Sequence, residues 1–156
     1  MIKRLLALIL ICICVFLCSC GKSSAEKFVF RNVDLGMTLE EVDKAEEQAG
    51  ETYYETYIVM GVEEYGRLGN AVYAFNTDMS SLGDITFMLH DGDYEEFTEM
   101  LSILSNKYGN PDSNEDKRTE ENFPRHQVRW YTEKEVITLL YMNDETSVLI
   151  DSKDAE

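Results

Sequence analysis

The sequence concentrates its polar chemistry in one acidic stretch, His90-Asp91-Gly92-Asp93-Tyr94-Glu95-Glu96. The Asp-x-Asp spacing of Asp91 and Asp93 would place two carboxylates around a calcium ion, which prefers oxygen ligands. The rest of an EF-hand loop is missing, because the alternate positions that follow carry no series of oxygen ligands. A turn at Asp91-Gly92 and a helix cap at Asp93 explain the same residues, so the pattern favours structure over metal. A calcium-responsive ligand-binding protein is the alternative.

Two histidines, His90 and His126, are available for acid–base chemistry. Imidazole titrates near neutral pH, so His90 together with Asp84 or Asp91 would suit a cell-surface hydrolase. Neither histidine lies in a nucleophile elbow or in a helical metal-binding motif. We therefore predict a non-enzymatic protein without a cofactor, and the hydrolase is the alternative.

The middle of the chain is rich in tyrosine, and four of these residues are candidate binding residues: Tyr54, Tyr57, Tyr65 and Tyr73. A tyrosine combines a large apolar ring with a hydroxyl group, which suits a binding surface. The alternative is that alternate tyrosines pack beneath helices while the others are ordinary sheet residues. Both interpretations fit the pattern equally well.

The amino terminus has the three-part order of an export signal. A cationic segment, Met1-Ile2-Lys3-Arg4, precedes an apolar run from Leu5 to Leu17, which ends at Cys18-Ser19-Cys20. As a helix the run would be about 20 Å long, against roughly 30 Å for the hydrocarbon core of a bilayer. We therefore predict a signal peptide over residues 1–19 rather than an uncleaved membrane helix.

The stretch Leu17-Cys18-Ser19-Cys20 resembles the lipobox of bacterial lipoproteins. The resemblance implies cleavage before Cys20 and a diacylglyceryl group on the Cys20 sulfur. Two acyl chains anchor a protein stably, whereas one chain gives only marginal binding. Residues 20–27 would then be the lipidated cysteine and a flexible tether. This arrangement predicts a domain held at the bacterial cell membrane and facing outside the cytoplasm.

Charge and cysteine content exclude several classes of function. The 156-residue chain has a formal charge of −16, and loss of residues 1–19 removes Lys3 and Arg4 but no acid, which leaves −18. Such a surface repels nucleic acid and anionic lipid head groups. All four cysteines lie at or before Cys20. The mature domain therefore has no thiol for a disulfide, a metal site or a nucleophile.

The first half of the domain shows two changes of periodicity. Residues 28–33 alternate as a short strand does. Thr38 and Glu41 have the spacing of a capping box, which predicts a helix that ends at Gly50. From Tyr53 to His90 a period of two predicts three antiparallel strands.

The second half repeats this order. Asp93 caps a second helix, with Glu96 at the capping-box position, and Gly109 ends it. Residues 112–121 are polar and are predicted to form a surface loop. Three further strands are predicted over residues 127–131, 136–142 and 146–151, the last two joined by a turn at Asn143-Asp144-Glu145. Trp130 is the predicted core residue of the first of these strands.

This order predicts a single α+β domain over residues 28–152, followed by a tail at 153–156. A short first strand precedes two successive αβββ units, and the strands form an antiparallel sheet with the helices on one face. The other face of such a sheet is left more open, which makes it the natural recognition surface.

The start of the first predicted helix and the end of the second resemble known protein families. The stretch from Phe30 to Val42 resembles the opening of a group of uncharacterised Gram-positive lipoproteins, and Lys107-Tyr108-Gly109-Asn110-Pro111 is typical of the same group. Gly36-Met37-Thr38 is more loosely similar to the SmpA/OmlA lipoproteins and to the β-lactamase-inhibitor-like fold, although Ala49-Gly50-Glu51 replaces the usual Gly-x-Pro. The resemblance implies a protein-binding or scaffold role without catalytic residues. We predict a membrane-anchored lipoprotein that binds a protein or envelope partner.

Overall fold

The computed structural model describes residues 30–121 and 123–153, so the predicted signal peptide, Cys20 and the tether lie outside the described residues. The described chain forms two helices, α1 (Leu39–Ala45) and α2 (Tyr94–Tyr108). It also forms the strands β1 (Glu51–Tyr53), β2 (Thr56–Glu64), β3 (Arg67–Phe75), β4 (Leu82–Leu89), β5 (Ser113–Asp116), β6 (Arg125–Tyr131), β7 (Glu135–Met142) and β8 (Glu145–Ser152). No helix within these ranges is long and apolar enough to cross a membrane.

All eight strands form one antiparallel sheet in the order β1-β2-β3-β4-β8-β7-β6-β5. Strands β1–β4 form one meander and β5–β8 form another, and the two meet where β4 pairs with β8. This confirms an α+β fold that consists mostly of sheet. Each helix is followed by four strands, so the predicted αβββ units each lacked one strand.

The two missed strands are β1 and β5, at the two edges of the sheet. Their residues are all exposed, so they show no alternation of buried and exposed positions. Period-two reasoning depends on that alternation and therefore cannot detect them. Residues 113–116, which were predicted to lie in a loop, become a strand because β6 supplies the hydrogen-bonding partner.

The predicted first strand is wrong in its described part, because residues 30–33 form a tight turn. The Val33 amide donates to the Phe30 carbonyl at 2.8 Å, and Arg31 and Asn32 have φ values of 51° and 64°. These values lie in the left-handed region and reverse the chain. Phe30 and Val33 are both buried, and this burial produced the strand-like pattern.

Helix α1 begins as predicted and ends early. The Thr38 amide donates to Glu41 Oε2 at 2.8 Å and the Glu41 amide donates to Thr38 Oγ1 at 3.4 Å, which confirms the capping box. The helix ends at Ala45 rather than near Gly50, because Glu46 takes extended backbone angles. Its carboxylate then turns inward to pair with Arg31.

Helix α2 is bounded as predicted. Asp93 accepts hydrogen bonds from the amides of Glu95 and Glu96 at 2.9 and 3.0 Å, and Gly109 ends the helix with a φ of 86°. The Glu96 side chain does not complete a capping box. It pairs with Arg67 instead, with 2.8 Å between Oε2 and Nε.

One face of the sheet, the covered face, packs against both helices and the 30–33 turn. The Phe30 ring lies 5.9 Å from that of Phe87, and the Phe97 ring of α2 lies 4.5 Å from that of His126. Trp130 is buried as predicted and donates from Nε1 to the Gly109 carbonyl. The sheet residues buried on this face are Tyr57, Val59, Ala71, Tyr73, Ile85, Phe87, Val128, Trp130, Ile137, Leu139, Val148 and Ile150.

The opposite face, the open face, carries the alternate residues of the same strands. Cross-strand partners share a face, and one row runs from Ile58 through Val72, Thr86 and Leu149. All four residues of that row are half-buried. Met88 in the next row is 39% exposed.

Candidate functional site

The four predicted binding tyrosines do not share a surface. Tyr57 and Tyr73 lie on the covered face and are 3% and 0% exposed, so the prediction of an exposed site is wrong for these two. Tyr65 is half-buried and packs against Phe87, with 6.5 Å between the rings. Only Tyr54 is well exposed, at 78%. Of the two interpretations of the tyrosine pattern, the second is therefore correct for Tyr57 and Tyr73, which pack beneath the helices.

The two buried tyrosine hydroxyls attach α1 to the sheet. Tyr73 donates to the carboxylate of Glu46, and Arg31 Nη2 lies 2.9 Å from the same carboxylate. Tyr57 donates to Asp43 and accepts from the Gly50 amide at 2.7 Å. Burial, followed by the hydrogen bond to Glu46, raises the pKa of Tyr73 above its ordinary value. These hydroxyls have a structural role.

Tyr54 lies at the tip of the β1–β2 hairpin. Its φ of 53° allows the chain to reverse, and its ring meets that of Tyr53 edge-to-face at 4.7 Å. Tyr53 is 65% exposed. This aromatic tip stays a predicted contact surface, separate from the hollow described below.

The acidic stretch after β4 connects that strand to α2 and has a structural role. Asp93 is the confirmed cap of α2, and the carbonyl of Gly92 accepts a hydrogen bond from Thr146 Oγ1 at 2.8 Å. Asp91 is exposed. Within residues 30–121 and 123–153, no group of three or more His, Cys, Asp or Glu side chains is placed to hold a metal ion.

The three residues of the alternative hydrolase are not assembled. Asp84 and His90 are separated by six residues along one strand direction, or about 20 Å. Asp84 lies opposite Asp151 on β8, and its pKa is raised by burial and then by that neighbouring carboxylate. The His90 Nε2 atom lies 2.9 Å from Asn70 Oδ1. The imidazole is therefore held by an amide rather than by either aspartate.

The second histidine, His126, is part of the covered face. It is 7% exposed, with Nδ1 3.1 Å from the Tyr94 hydroxyl and Nε2 2.7 Å from Asn114 Oδ1. Burial lowers the pKa of this imidazole, which outweighs the opposing effect of Asp116. His126 links β5, β6 and α2.

The open face carries a hollow of about 360 Å³ over the seam between β4 and β8. Its floor is mainly apolar and comes from register-matched positions: Met88 pairs with Ser147, which pairs with Leu140. Asn70 and His90 are part of its lining. The hollow combines an apolar floor with a few convergent polar groups, which is the usual composition of a binding site.

Two carboxylates also belong to the lining of the hollow. Asp144 and Glu145 line it at the β7–β8 turn, where Asn143 and Asp144 have φ values of 56° and 61°. Asp144 Oδ1 also accepts a hydrogen bond from Tyr141 at 2.8 Å, which fixes the turn. The described residues that line the hollow include neither lysine nor arginine.

Sequence reasoning missed this hollow for an identifiable reason. Met88, Leu140 and Met142 have the composition of core residues, and only the position of the helices decides which face stays open. The available signal was the run from Val136 to Met142, where apolar residues occupy both faces of a strand.

No protein-family model and no curated protein matches the chain. Among solved structures, the chain is similar to the crystal structure of a DUF4309 family protein (YjgB) from Bacillus subtilis. The identity is 13%, the TM-score is 0.46, and 74% of this chain and 78% of that chain are covered. A likeness this distant transfers neither a ligand nor a role. The resemblance to small lipoproteins stays a prediction.

Proposed function

We propose that the protein is a lipid-anchored lipoprotein of the bacterial cell envelope that binds a protein partner through the open face of its sheet. The observation that supports this proposal most strongly is the hollow on that face, whose lining includes Asn70 and Glu145. Both described helices contact the covered face, so neither of them lies over the half-buried apolar side chains of the open face. Contiguous partly exposed apolar surface is typical of an interaction site.

The proposal assigns binding rather than catalysis to this face. Its polar groups include an amide–imidazole pair, Asn70 and His90, and the carboxylates of Asp144 and Glu145. The lining includes the hydroxyls of Thr86, Thr146 and Ser147, and no hydrogen bond joins any of them to His90. These groups can orient a ligand without a nucleophile–base pair.

The anchor in this proposal is a diacylglyceryl group on Cys20. A surface with a formal charge of −18 after removal of residues 1–19 is repelled by anionic lipid, so a covalent anchor rather than electrostatics holds the domain at the membrane. Residues 21–26 span at most about 20 Å when extended. Partners of the open face would therefore lie close to the bilayer.

Site-specific photocrosslinking in native membranes tests the binding face. A photoreactive phenylalanine analogue replaces Met88 on the open face or, as the matched control, Thr98 on the outer surface of α2, which is also exposed. We expect one discrete crosslinked product from residue 88 and none of the same mass from residue 98. Identical products from both positions would contradict the proposed face.

A separate experiment tests the anchor. Mass spectrometry of the amino-terminal peptide is expected to show a diacylglyceryl mass on Cys20, and Cys20→Ser is expected to remove it and release the protein from washed membranes. A Cys20→Ser chain that is processed normally and stays with the membranes would contradict lipid anchoring, whatever the crosslinking shows.

A further inference from the structure

We infer that the hollow binds a basic amphipathic segment of the partner protein. Apolar side chains of that segment would lie on the floor around Met88 and Leu140, and lysine or arginine side chains would reach Asp144 and Glu145. This inference rests on the proposed function, because it names the chemistry of the partner for the open face.

The size of the hollow suits a few side chains. A volume of about 360 Å³ is at the lower end of the roughly 300–1,000 Å³ of ligand pockets. The floor is accessible, because Met88 is 39% exposed and Leu140 and Leu149 are half-buried. A segment that inserts two or three side chains would therefore fill the hollow, while its backbone stays outside.

Methionines concentrate around this floor. Met88 and Met142 line the hollow, and Met60, which is 62% exposed, lies on β2, the strand that pairs with the Asn70 strand β3. Asn70 connects the two places, since its Oδ1 atom accepts from the Gly61 amide at 3.1 Å and lies 2.9 Å from His90 Nε2. An unbranched thioether side chain adapts its shape to different partners, and methionine-rich surfaces are used to bind amphipathic helices.

The charge around the hollow selects a basic partner. Asp144 and Glu145 contribute two carboxylates, and no lysine or arginine occurs among the described lining residues. Arg125, which pairs with Met142 across β6 and β7, has its charge directed to Glu115, 3.6 Å away on β5. The whole chain carries −16. A cationic segment would be attracted by this field, whereas an acidic one would meet uncompensated like charge.

Methyl NMR on the full lipidated protein in phosphatidylcholine nanodiscs tests the inference. The methionine methyl groups carry ¹³C, and the probe is a synthetic amphipathic helix of leucine and lysine. Its matched partner has every lysine replaced by glutamate, and empty nanodiscs control for lipid binding. We expect the lysine peptide to shift the methyl signals of Met88 and Met142. The signal of Met100, which is buried on the inner side of α2, should not move.

Paired charge variants separate local recognition from general attraction to an acidic protein. Asp144→Asn with Glu145→Gln is expected to weaken binding of the lysine peptide about tenfold. Glu51→Gln with Glu55→Gln removes the same charge at the exposed β1–β2 hairpin and is expected to weaken it less than about twofold. Equal weakening by the two double variants would overturn the inference.

The remaining outcomes are also decisive. Equal shifts with the glutamate peptide would overturn the requirement for a basic partner. Shifts at Met60 alone would overturn the hollow as the site and leave binding by the open face standing. If no open-face methyl group responds, the inference falls, while crosslinking from residue 88 decides the proposed function independently.

Discussion

On the covered face of the sheet Phe87 is completely buried, whereas its neighbour Met88, on the open face, is 39% exposed. Both are large apolar residues of β4, and the described helices pack against the side of the sheet on which Phe87 lies. The same holds for Trp130 and Tyr131 on β6, at 2% and 37%. Composition therefore does not distinguish a buried residue from an exposed one in these two pairs, whereas the face of the sheet does.

The two faces also treat charge differently. Glu46, whose side chain is fully buried on the covered face, is paired with Arg31 and accepts a hydrogen bond from Tyr73. On the open face Asp84 lies opposite Asp151, and both residues are half-buried. Like charges directly opposite each other on neighbouring strands are destabilising. The buried carboxylate of Glu46 needs its partners, because an unpaired buried charge is strongly destabilising.

The largest expected effect comes from truncating neighbouring residues on the two faces. Phe87→Ala should lower the free energy of unfolding by about 3–5 kcal/mol, because it leaves a cavity beside Phe30 and Tyr65. Met88→Ala should cost less than about 1 kcal/mol, because its side chain is already partly hydrated. Denaturant unfolding measures both. Equal losses would show that the open face is covered in solution.

The buried ion pair is the next test. Glu46→Ala leaves the Arg31 guanidinium without its carboxylate and should cost about 2–3 kcal/mol, less than a fully buried pair because Arg31 keeps some exposure. Glu47→Ala, at the adjacent exposed position, is the matched control and should have little effect on stability. If both variants melt at the same temperature, α1 is not attached through Glu46.

The pH dependence of stability tests His126 on the covered face. Burial lowers its pKa in the folded protein, so below the ordinary histidine value of 6.5 the unfolded chain takes up the proton first. The stabilisation that neutral His126 gives to the folded protein is therefore present above this pH and is lost as the pH falls below it. His126→Gln should flatten the fall in unfolding free energy between neutral pH and pH 5 relative to the wild type. Unchanged slopes would contradict this role.

The smallest expected effect concerns the hairpin tip. Tyr54→Asn introduces a residue that tolerates the φ of 53° at this position. The substitution should therefore change the free energy of unfolding by less than about 0.5 kcal/mol. Crosslinking from residue 88 should be unaffected, since Tyr54 lies on a separate edge. A loss of the crosslinked product would enlarge the binding surface to include the hairpin.

The helix caps and turns were predictable because each is formed by residues that are close together in the sequence. The Thr38–Glu41 capping box, the Asp93 cap, the stop at Gly109 and the turn at Asn143-Asp144 each depend on a few consecutive residues. Strands β2–β4 and β6–β8 were found at least in part, because an alternating buried face leaves a period of two in the sequence.

The rest depended on contacts between distant residues. The strands β1 and β5 exist because β2 and β6 offer free edges, and residues 30–33 turn rather than extend because Phe30 and Val33 must both reach the core. The hollow needs four adjacent strands, β3, β4, β8 and β7, and its two local pairs of strands meet only because β4 pairs with β8.

The sequence by itself determined both helix starts, the end of α2, the main strands and a strongly acidic composition without a thiol in the described domain, because these depend on neighbouring residues or on totals. Only the tertiary structure decided that Tyr57 and Tyr73 support α1 while Met88 and Leu140 form the floor of a hollow. Alternation assigns residues to two faces but cannot say which face a helix will cover, since that is settled by packing between residues far apart in the chain.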